Sequence, residues 1–303
     1  MPQFSSQQTP AHSHQYSHSP FGLFAGLTAA AIWGGMYVVS KVVMETMPPF
    51  VLLTLRLSLG AAVLFAFIQW RGGIRADRPQ FWQVFGVGVI GYGISLGFQF
   101  VGTNLSTAAN GSLVTSATPA FVLLFAALIL GEKITFRRLL ALIVASLGVV
   151  AVIDPRTAEL NPDLFWGNLS LIGAAITWAL YSVLIRKVTR NLDVLTVSLI
   201  ALLGGLPISI PMAIWQGITS GIGAITLGVI GGVLFIGVIS TALAMYLWNT
   251  AFAELPAGLA SLTFFAQPVV GALLGWFFLG DNITPLFILG GMLIGIGIVI
   301  SNE

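Results

Sequence analysis

Long apolar segments, separated by short polar or Gly- and Pro-containing breaks, fill most of this sequence. A helix needs about 20 mostly apolar residues to cross the hydrocarbon core of a bilayer. The apolar runs are continuous rather than alternating, which favours helices over the strands of a membrane barrel. The sequence therefore predicts an all-α membrane protein with ten transmembrane helices, near residues 22–44, 49–70, 81–103, 107–130, 136–153, 164–186, 193–215, 225–252, 257–279 and 285–301.

The composition agrees with a lipid environment. Only 7% of the residues are charged, against about 25% in a soluble domain, so most of the surface cannot face water. The formal net charge of +2 gives no basis for a nucleic-acid partner. The chain has no cysteine, which excludes disulfides, thiolate metal sites and cysteine nucleophiles. We expect membrane lipid around the protein, and no metal or cofactor within it.

The first segment of the chain differs from the rest. Residues 1–20 are polar, rich in Ser, Gln and Pro, and contain no Lys or Arg. A signal peptide begins with a basic region before its apolar core, so we predict a disordered cytoplasmic tail instead. Its histidines, His12, His14 and His18, could bind a metal weakly, but a solvated tail explains them more simply.

The basic residues predict how the helices are oriented. Nine of the twelve lie in three connections that fall on one side of the membrane, while Lys41 and Arg156 lie opposite and Arg56 lies inside the second span. Such an excess marks the cytoplasmic side. We therefore predict both termini in the cytoplasm, and the protein in a bacterial cytoplasmic (inner) membrane. The nine are Arg71, Arg75, Arg78, Lys133, Arg137, Arg138, Arg186, Lys187 and Arg190.

A short motif occurs twice along the chain. LILGEKIT at 128–135 is followed 149 residues later by FFLGDNIT at 277–284. A unit of five helices crosses the membrane an odd number of times, so its second copy must enter inverted. This placement explains why the first copy, on the cytoplasmic side, carries basic residues that the second copy lacks.

Other matched residues extend the repeat. Pro119 pairs with Pro268 at the same offset of 149, and Trp33 pairs with Trp178 at an offset of 145. We predict two inverted five-helix repeats around a central cavity, over residues 21–154 and 164–301. Inverted repeats are typical of transporters that open alternately to the two sides of the membrane.

Within the motif, the residue types predict local structure. Gly131 can end one helix in a left-handed conformation, and Thr135 can cap the next helix. The second copy offers the same residue types 149 positions later. We expect the acids that follow the glycines, Glu132 and Asp281, to stabilise those helix starts rather than to do chemistry.

Together these features resemble the EamA-type family of the drug/metabolite transporter superfamily, over about residues 22–301. The resemblance rests on the paired tryptophans and prolines, on Arg56 in LLTLRLSLG, and on the LGE and LGD ends before closing helices rich in small residues. It implies ten helices in two inverted halves around a cavity, and export of amino acids or other metabolites. One departure is that the second half has no counterpart to Arg56.

Pro119 and Pro268 interrupt the fourth and ninth predicted helices. A proline leaves the carbonyl four residues earlier without its donor. In lipid this is tolerable only where a neighbour or a water-lined cavity satisfies that carbonyl. Such bends would lie on the substrate path, although two ordinary kinks between packed helices would explain them too.

Polar and aromatic residues within the spans are the candidates for substrate binding, because polar side chains at membrane depth tend to face the bundle interior. Arg56 could hold a substrate carboxylate or reach outward to water. For a single hydroxyl the alternative is packing between helices, and for the tyrosines and Trp248 it is an interfacial belt. The candidates are Trp33, Tyr37, Arg56, Tyr92, Gln99, Asn110, Thr115, Thr118, Trp178, Tyr181, Tyr246, Trp248, Phe265 and Gln267.

No acidic residue or histidine lies in the middle of a predicted span. Carriers driven by protons or sodium usually need carboxylates there, so we predict uncoupled export by alternating access. The predicted substrate is a small amphipathic metabolite, above all a neutral or aromatic amino acid, and a broader exporter of drugs or purine-like metabolites is the alternative. An intramembrane enzyme would need a nucleophile–base or metal set that these spans do not offer. We expect a monomer, and Gly-x-x-x-Gly spacings leave a dimer open.

Overall fold

In a computed structural model of the protein, residues 19–106, 114–153, 164–279 and 285–302 are described, and all regular structure within them is helical. The all-α prediction is confirmed, and a helix occupies each predicted span. Six of these helices, the first three and the sixth to eighth, are long and apolar enough to cross a membrane. The helices are α1 Pro20–Met44, α2 Pro49–Trp70, α3 Arg78–Leu105, α4 Thr118–Leu130, α5 Phe136–Ile153, α6 Phe165–Val188, α7 Val194–Ser220, α8 Leu227–Glu254, α9 in the consecutive pieces Ala257–Leu262, Thr263–Phe265 and Ala266–Leu279, and α10 Pro285–Asn302.

The connection between α4 and α5 shows how the repeated motif ends one helix and begins another. Gly131 adopts φ 70° and ψ 21°, a left-handed conformation that carries no side-chain penalty for glycine. Thr135 Oγ1 then accepts a hydrogen bond from the backbone N–H of Arg138 at 3.2 Å, which caps α5. Both predictions are confirmed. Asp281 and the rest of the second copy from 280 to 284 lie outside the described residues.

Glu132 stabilises a different helix from the one that we expected. Its Oε1 accepts a hydrogen bond from the backbone N–H of Ala257 at 2.9 Å, at the first residue of α9. The first N–H groups of a helix have no partner within it, and negative charge is favourable beside them. The connection in the first half therefore caps a helix of the second half, and only the tertiary structure reveals this contact.

Helices of the first half find their main partners in the second half. α2 packs along α7 and α5 along α10, whereas α1 contacts α8 and α9, and α6 contacts α3 and α4. α1, the first helix of its half, thus contacts the third and fourth helices of the second half, and α6, the first helix of the second half, contacts the third and fourth helices of the first half. The pattern of contacts is therefore the same from either half. One main core fills the centre of the bundle, and a smaller core lies between α5, α9 and α10.

Both prolines lie beside an irregular turn. Residues 114 and 115 are helical, Ser116 and Ala117 form a turn, and α4 begins at Thr118, directly before Pro119. In α9, the tighter 3₁₀ turn Thr263–Phe265 precedes the piece that contains Pro268. These interruptions agree with the missing N–H of proline.

Three further irregularities were not predicted from the sequence. Residues Val89–Ser95 of α3, Phe235–Leu243 of α8 and Ala126–Leu130 at the end of α4 form wider π-helical turns. Such turns are rare and often occur at functional sites. The turns of α3 and α8 lie in the third helix of each half, so both halves widen at the same position.

Candidate functional site

A small cavity lies among the central helices of both halves. The space open to the centre of a water molecule there is about 30 Å³, which is room for about two waters. Seven of the predicted candidates line it: Trp33, Arg56, Gln99, Thr115, Thr118, Trp178 and Gln267. The other lining residues are Met36, Ser95, Leu96, Ala174, Ala175, Met245 and Phe264.

Tryptophans form one wall of this cavity. The rings of Trp33 and Trp178, the pair separated by 145 residues, meet edge to face with centroids 5.8 Å apart. Trp248 packs behind them, 5.3 Å from Trp33 and 5.5 Å from Phe264. Trp248 is fully buried and donates from Nε1 to Ser182 Oγ at 3.1 Å. An interfacial position for Trp248 is therefore wrong, because none of its surface reaches the membrane boundary.

Arg56 points into the bundle rather than outward. The side chain is fully buried, so the alternative in which it reaches outward to water is wrong. Its Nε donates to Thr241 Oγ1 at 2.8 Å, and one terminal nitrogen, Nη1, donates to Met36 Sδ at 3.3 Å. The guanidinium also lies over the ring of Phe100, 5.3 Å from its centroid. The other terminal nitrogen, Nη2, has no hydrogen-bond partner within the described part of the chain.

Four buried polar atoms of the cavity lining have no hydrogen-bond partner among the residues that the structure describes. They are Arg56 Nη2, Thr118 Oγ1, Trp178 Nε1 and Gln267 Oε1. Buried polar groups without partners are rare and costly in folded proteins. Here two atoms can only donate, one can only accept, and the hydroxyl can do either. The lining therefore offers hydrogen bonds to a solute that carries both acceptors and donors.

Tyr92 and Tyr181 lie beside this cavity but use their hydroxyls on each other. The two oxygens are 2.7 Å apart, and Tyr181 donates in turn to Asn249 Oδ1 at 2.8 Å. Asn249 Nδ2 donates to Ser198 Oγ at 2.9 Å. This chain of bonds joins α3, α6, α8 and α7. Because neither hydroxyl lines the cavity, the structure gives the two tyrosines a role in packing.

Tyr37 and Gln99 separate the main cavity from a smaller one. Gln99 Nε2 donates to Tyr37 Oη at 2.6 Å, and that oxygen lies 3.4 Å from Thr115 Oγ1. Gln99 lines both cavities, whereas Tyr37 lines the smaller one, which continues past Ser40 and Thr103. The small cavity thus leads from the candidate site toward the end of α1.

Two of the described candidates, Phe265 and Tyr246, lie away from the cavity. Phe265 lies in the smaller core against α5 and α10, and its neighbour Phe264 lines the cavity instead. Tyr246 is half-buried at the edge of the main core. Asn110 lies outside the described residues. Sequence reasoning missed the apolar lining residues Met36, Leu96 and Met245, since apolar side chains cover lipid-facing surfaces equally and give no signal.

A buried basic residue joins several helix ends at one end of the bundle. Arg186, near the end of α6, is buried, and its Nη1 donates to the carbonyl oxygens of Phe252, at 2.7 Å, and of Leu255. Its Nε lies 3.4 Å from Glu132 Oε1, and the same carboxylate binds Arg138 at 3.1 Å. This contact set, which we call the Arg186 latch, joins the ends of α6 and α8 to the start of α9.

Lys41, near the end of α1, makes the matching contact. Its Nζ donates to the carbonyl oxygens of Thr103 and Ser106, each at 3.3 Å, and we call this the Lys41 latch. Lys41 and Arg186 are separated by 145 residues. Their acceptors are separated by 149, which takes Thr103 to Phe252 and Ser106 to Leu255.

The two latches lie at opposite ends of the bundle. Ser19, immediately before α1, hydrogen-bonds Glu254, next to the Arg186 latch. Lys41 lies 22 residues further along the same helix, which is about 33 Å at 1.5 Å per residue. That distance is close to the thickness of the bilayer core. The sequence predicts neither contact, because it identifies both residues only as charges that orient the helices.

The pattern of the EamA-like transporter family matches this chain twice, over residues 20–153 and 165–302. The uncharacterized transporter YoaV of Bacillus subtilis is 25% identical over 292 residues, which cover 91% of this chain and 94% of the relative. Two relatives are named probable amino-acid metabolite efflux pump, and each is 25% identical to this chain. The match to the protein of Salmonella typhimurium covers 92% of this chain and 93% of the relative. The match to the protein of Escherichia coli covers 91% of this chain and 92% of the relative. One solved structure, titled crystal structure of protein, has a TM-score of 0.78 at 21% identity over 94% of this chain and 98% of that chain, which shows the same fold.

Proposed function

Because the chain belongs to the EamA-like transporter family, we propose that it exports small amphipathic metabolites that carry a carboxylate, above all neutral or aromatic amino acids. The protein is a membrane transporter and not an enzyme, as the family and the names of its relatives indicate. Two relatives named for amino-acid metabolite efflux support the amino-acid assignment. Its bacterial relatives support a cytoplasmic membrane as its location.

The observation that carries the proposal is the set of four unpartnered polar atoms at the cavity. Arg56 Nη2 is a cationic donor that suits a carboxylate. Gln267 Oε1 and Thr118 Oγ1 are acceptors that suit an ammonium group. The faces of Trp33 and Trp178 suit an apolar or aromatic side chain. An amino acid contains all three kinds of group on one small molecule.

The paired latches support inverted halves and alternating access. A basic side chain near the end of the first helix of each half binds carbonyl oxygens at the end of the third helix. Since the latches lie at opposite ends, breaking one latch need not break the other. With about 30 Å³ open between them, the cavity must widen before an amino acid enters. The solute would therefore meet the two sides in turn.

Uncoupled transport is supported by the chemistry of the lining. None of the described residues that line the cavity is acidic, and intramembrane carboxylates usually carry protons or sodium in coupled carriers. We propose that the solute gradient alone sets the direction. Collapsing a proton or sodium gradient across proteoliposomes, at constant solute gradient, should leave the transport rate unchanged, and a collapse of transport would refute this proposal.

Counterflow in proteoliposomes tests the substrate assignment. Vesicles loaded with unlabelled solute are given trace radiolabelled L-phenylalanine, L-leucine, adenine or a cationic dye. We expect exchange of the two amino acids, and an increase of at least about ten-fold in their KM for Arg56→Gln, since a bond to a charged group is worth about 1.5–3 kcal/mol. Arg71→Gln is the matched control, because Arg71 is an exposed arginine at the end of α2.

Each outcome of this panel has a defined meaning. Exchange of adenine or the dye without the amino acids would replace the proposal by the broader exporter. That alternative is favoured by one observation, the tryptophan wall, which would also accept a flat heterocycle. Equal KM values for wild type and Arg56→Gln would remove the carboxylate from the proposal.

A further inference from the structure

We propose that Thr241 is a positioning residue for solute specificity: it fixes the guanidinium of Arg56 so that one N–H pair remains free for the carboxylate. This inference rests on the proposed function, which supplies the carboxylate. Thr241 is fully buried and does not line the cavity, so it would act only through Arg56.

The π-helical turn of α8 places the hydroxyl of Thr241 in a defined orientation. Thr241 Oγ1 donates to the carbonyl of Ile236 at 2.7 Å, five residues earlier, a spacing that a π-helical turn provides. The hydroxyl proton is therefore committed to the backbone. The oxygen keeps its lone pairs, and one of them accepts from Arg56 Nε at 2.8 Å.

A glycine in α2 allows this approach. Gly60 lies four residues after Arg56, on the same face of the helix. A Cβ atom at position 60 would lie 2.7 Å from Thr241 Cγ2, closer than side-chain atoms pack. The absence of a side chain at this position therefore lets α8 bring its threonine against the arginine.

Because of the geometry of the guanidinium, this single hydrogen bond fixes the orientation of the whole group. The group is planar, with its donors in a rigid fork. Its Nε donates to Thr241, and the one hydrogen bond of its Nη1 to a described residue goes to Met36 Sδ, which is a weak acceptor. Of the described residues, Thr241 therefore supplies the one oxygen that binds the guanidinium. With two nitrogens engaged, Nη2 is the donor left over.

The second half lacks this arrangement, so the two sides of the cavity differ in charge. Ser95, in the π-helical turn of α3, lies 146 residues before Thr241, and position 201, which is 145 residues after Arg56, is an alanine. Ser95 instead donates to the carbonyl of Ala174 at 2.9 Å. Among the described lining residues the one cation is Arg56, on the α2–α8 side of the cavity, and we infer that the solute binds with its carboxylate toward that side.

Isosteric substitution of Thr241 tests the inference. Thr241→Val keeps the shape and removes the acceptor, and Thr241→Ser keeps the acceptor. We expect Thr241→Val to raise the KM for L-phenylalanine about ten-fold, with little change in maximal rate. The KM for L-phenylalaninamide, which lacks the carboxylate, should not change, and Thr241→Ser should restore the wild-type KM.

A double-mutant cycle separates positioning from general structure. If Thr241 acts through Arg56, then Thr241→Val should not raise the KM for L-phenylalanine any further in a chain that already carries Arg56→Gln. Thr250→Val is the control, since Thr250 is also buried in α8 and bonds the carbonyl of Tyr246 at 2.8 Å. The inference would be overturned if Thr241→Val raised the KM for L-phenylalanine equally in the wild-type and Arg56→Gln backgrounds. It would also be overturned if the substitution changed the KM for L-phenylalanine and for L-phenylalaninamide equally.

A spectroscopic measurement distinguishes failure of this inference from failure of the proposed function. The ¹⁵Nε–Hε signal of Arg56, assigned by its loss in Arg56→Gln, should move in Thr241→Val and not in Thr250→Val. An unmoved signal overturns the inference whatever the transport result. If the signal moves but the wild type treats L-phenylalanine and its amide alike, the positioning role stands and the carboxylate assignment falls.

Discussion

Removing the Arg186 latch should open one end of the bundle and leave the other closed. The perturbation is Arg186→Met, which keeps much of the length and removes the donors. Glu132 keeps its ion pair with Arg138 at 3.1 Å and its bond from Ala257 at 2.9 Å. The substitution therefore leaves no unpaired carboxylate behind, and we expect the variant to fold.

The magnitude follows from the geometry of the bonds. A hydrogen bond to a charged group contributes about 1.5–3 kcal/mol. In an open state, hydrogen bonds to water would offset part of this contribution. We expect Arg186→Met to favour opening by about 2 kcal/mol, or about 30-fold in population. The two bonds of Lys41, each 3.3 Å long, exceed the usual range. Lys41→Met should therefore favour opening of its own end by about 1 kcal/mol, or about five-fold.

Thiol labelling can measure this opening because the chain has no cysteine of its own. A single cysteine in place of Ala175, a buried residue of the cavity lining, reports access to the cavity. Membrane-impermeant maleimide is added to right-side-out or inside-out vesicles. Arg186→Met should speed labelling from the cytoplasmic side alone, and Lys41→Met from the other side alone. Lys187→Met, which alters an exposed neighbour of Arg186, should leave both rates unchanged.

Two results would refute the reasoning. If both variants speeded labelling from the same side, the latches would not close opposite ends. If neither changed the rates, the bonds to the helix-end carbonyls would contribute nothing to closure.

Three other predictions follow from the same contacts. Tyr181→Phe removes the donor to Asn249 and should lower the free energy of unfolding by about 1–2 kcal/mol, measured by thermal denaturation in detergent, whereas Tyr246→Phe should change it little. Phe264→Leu should alter the ranking of solutes in counterflow, whereas Phe265→Leu should lower the melting temperature and leave the ranking intact. Tags at the two ends should both be accessible from the cytoplasm, and finding them on opposite faces would refute an even number of crossings.

The sequence revealed those site residues whose chemistry is unusual in lipid. Arg56 and Gln267 are polar at membrane depth, and Trp33 and Trp178 recur at matched positions of the two halves. Such residues carry a signal because placing them inside a bilayer needs a reason. Their positions at one cavity agree with that argument.

Other parts of the site could not be predicted, for physical reasons. In a membrane both the lipid-facing and the buried faces of a helix are apolar, so periodicity does not mark Met36 or Met245 as lining residues. The 3₁₀ turn Thr263–Phe265 changes the angle between successive side chains, which is why Phe264 rather than Phe265 meets the cavity. The orientation of the Thr241 hydroxyl depends on the π-helical turn of α8, and no pattern in the sequence predicts that turn.

The packing of the two halves has a consequence for how the chain folds. Because α2 lies against α7, α5 against α10, and α1 and α6 against third helices of the opposite half, neither half can bury its own apolar centre. A half produced alone would leave that surface uncovered. We therefore expect stable folding to need the helices of both halves together.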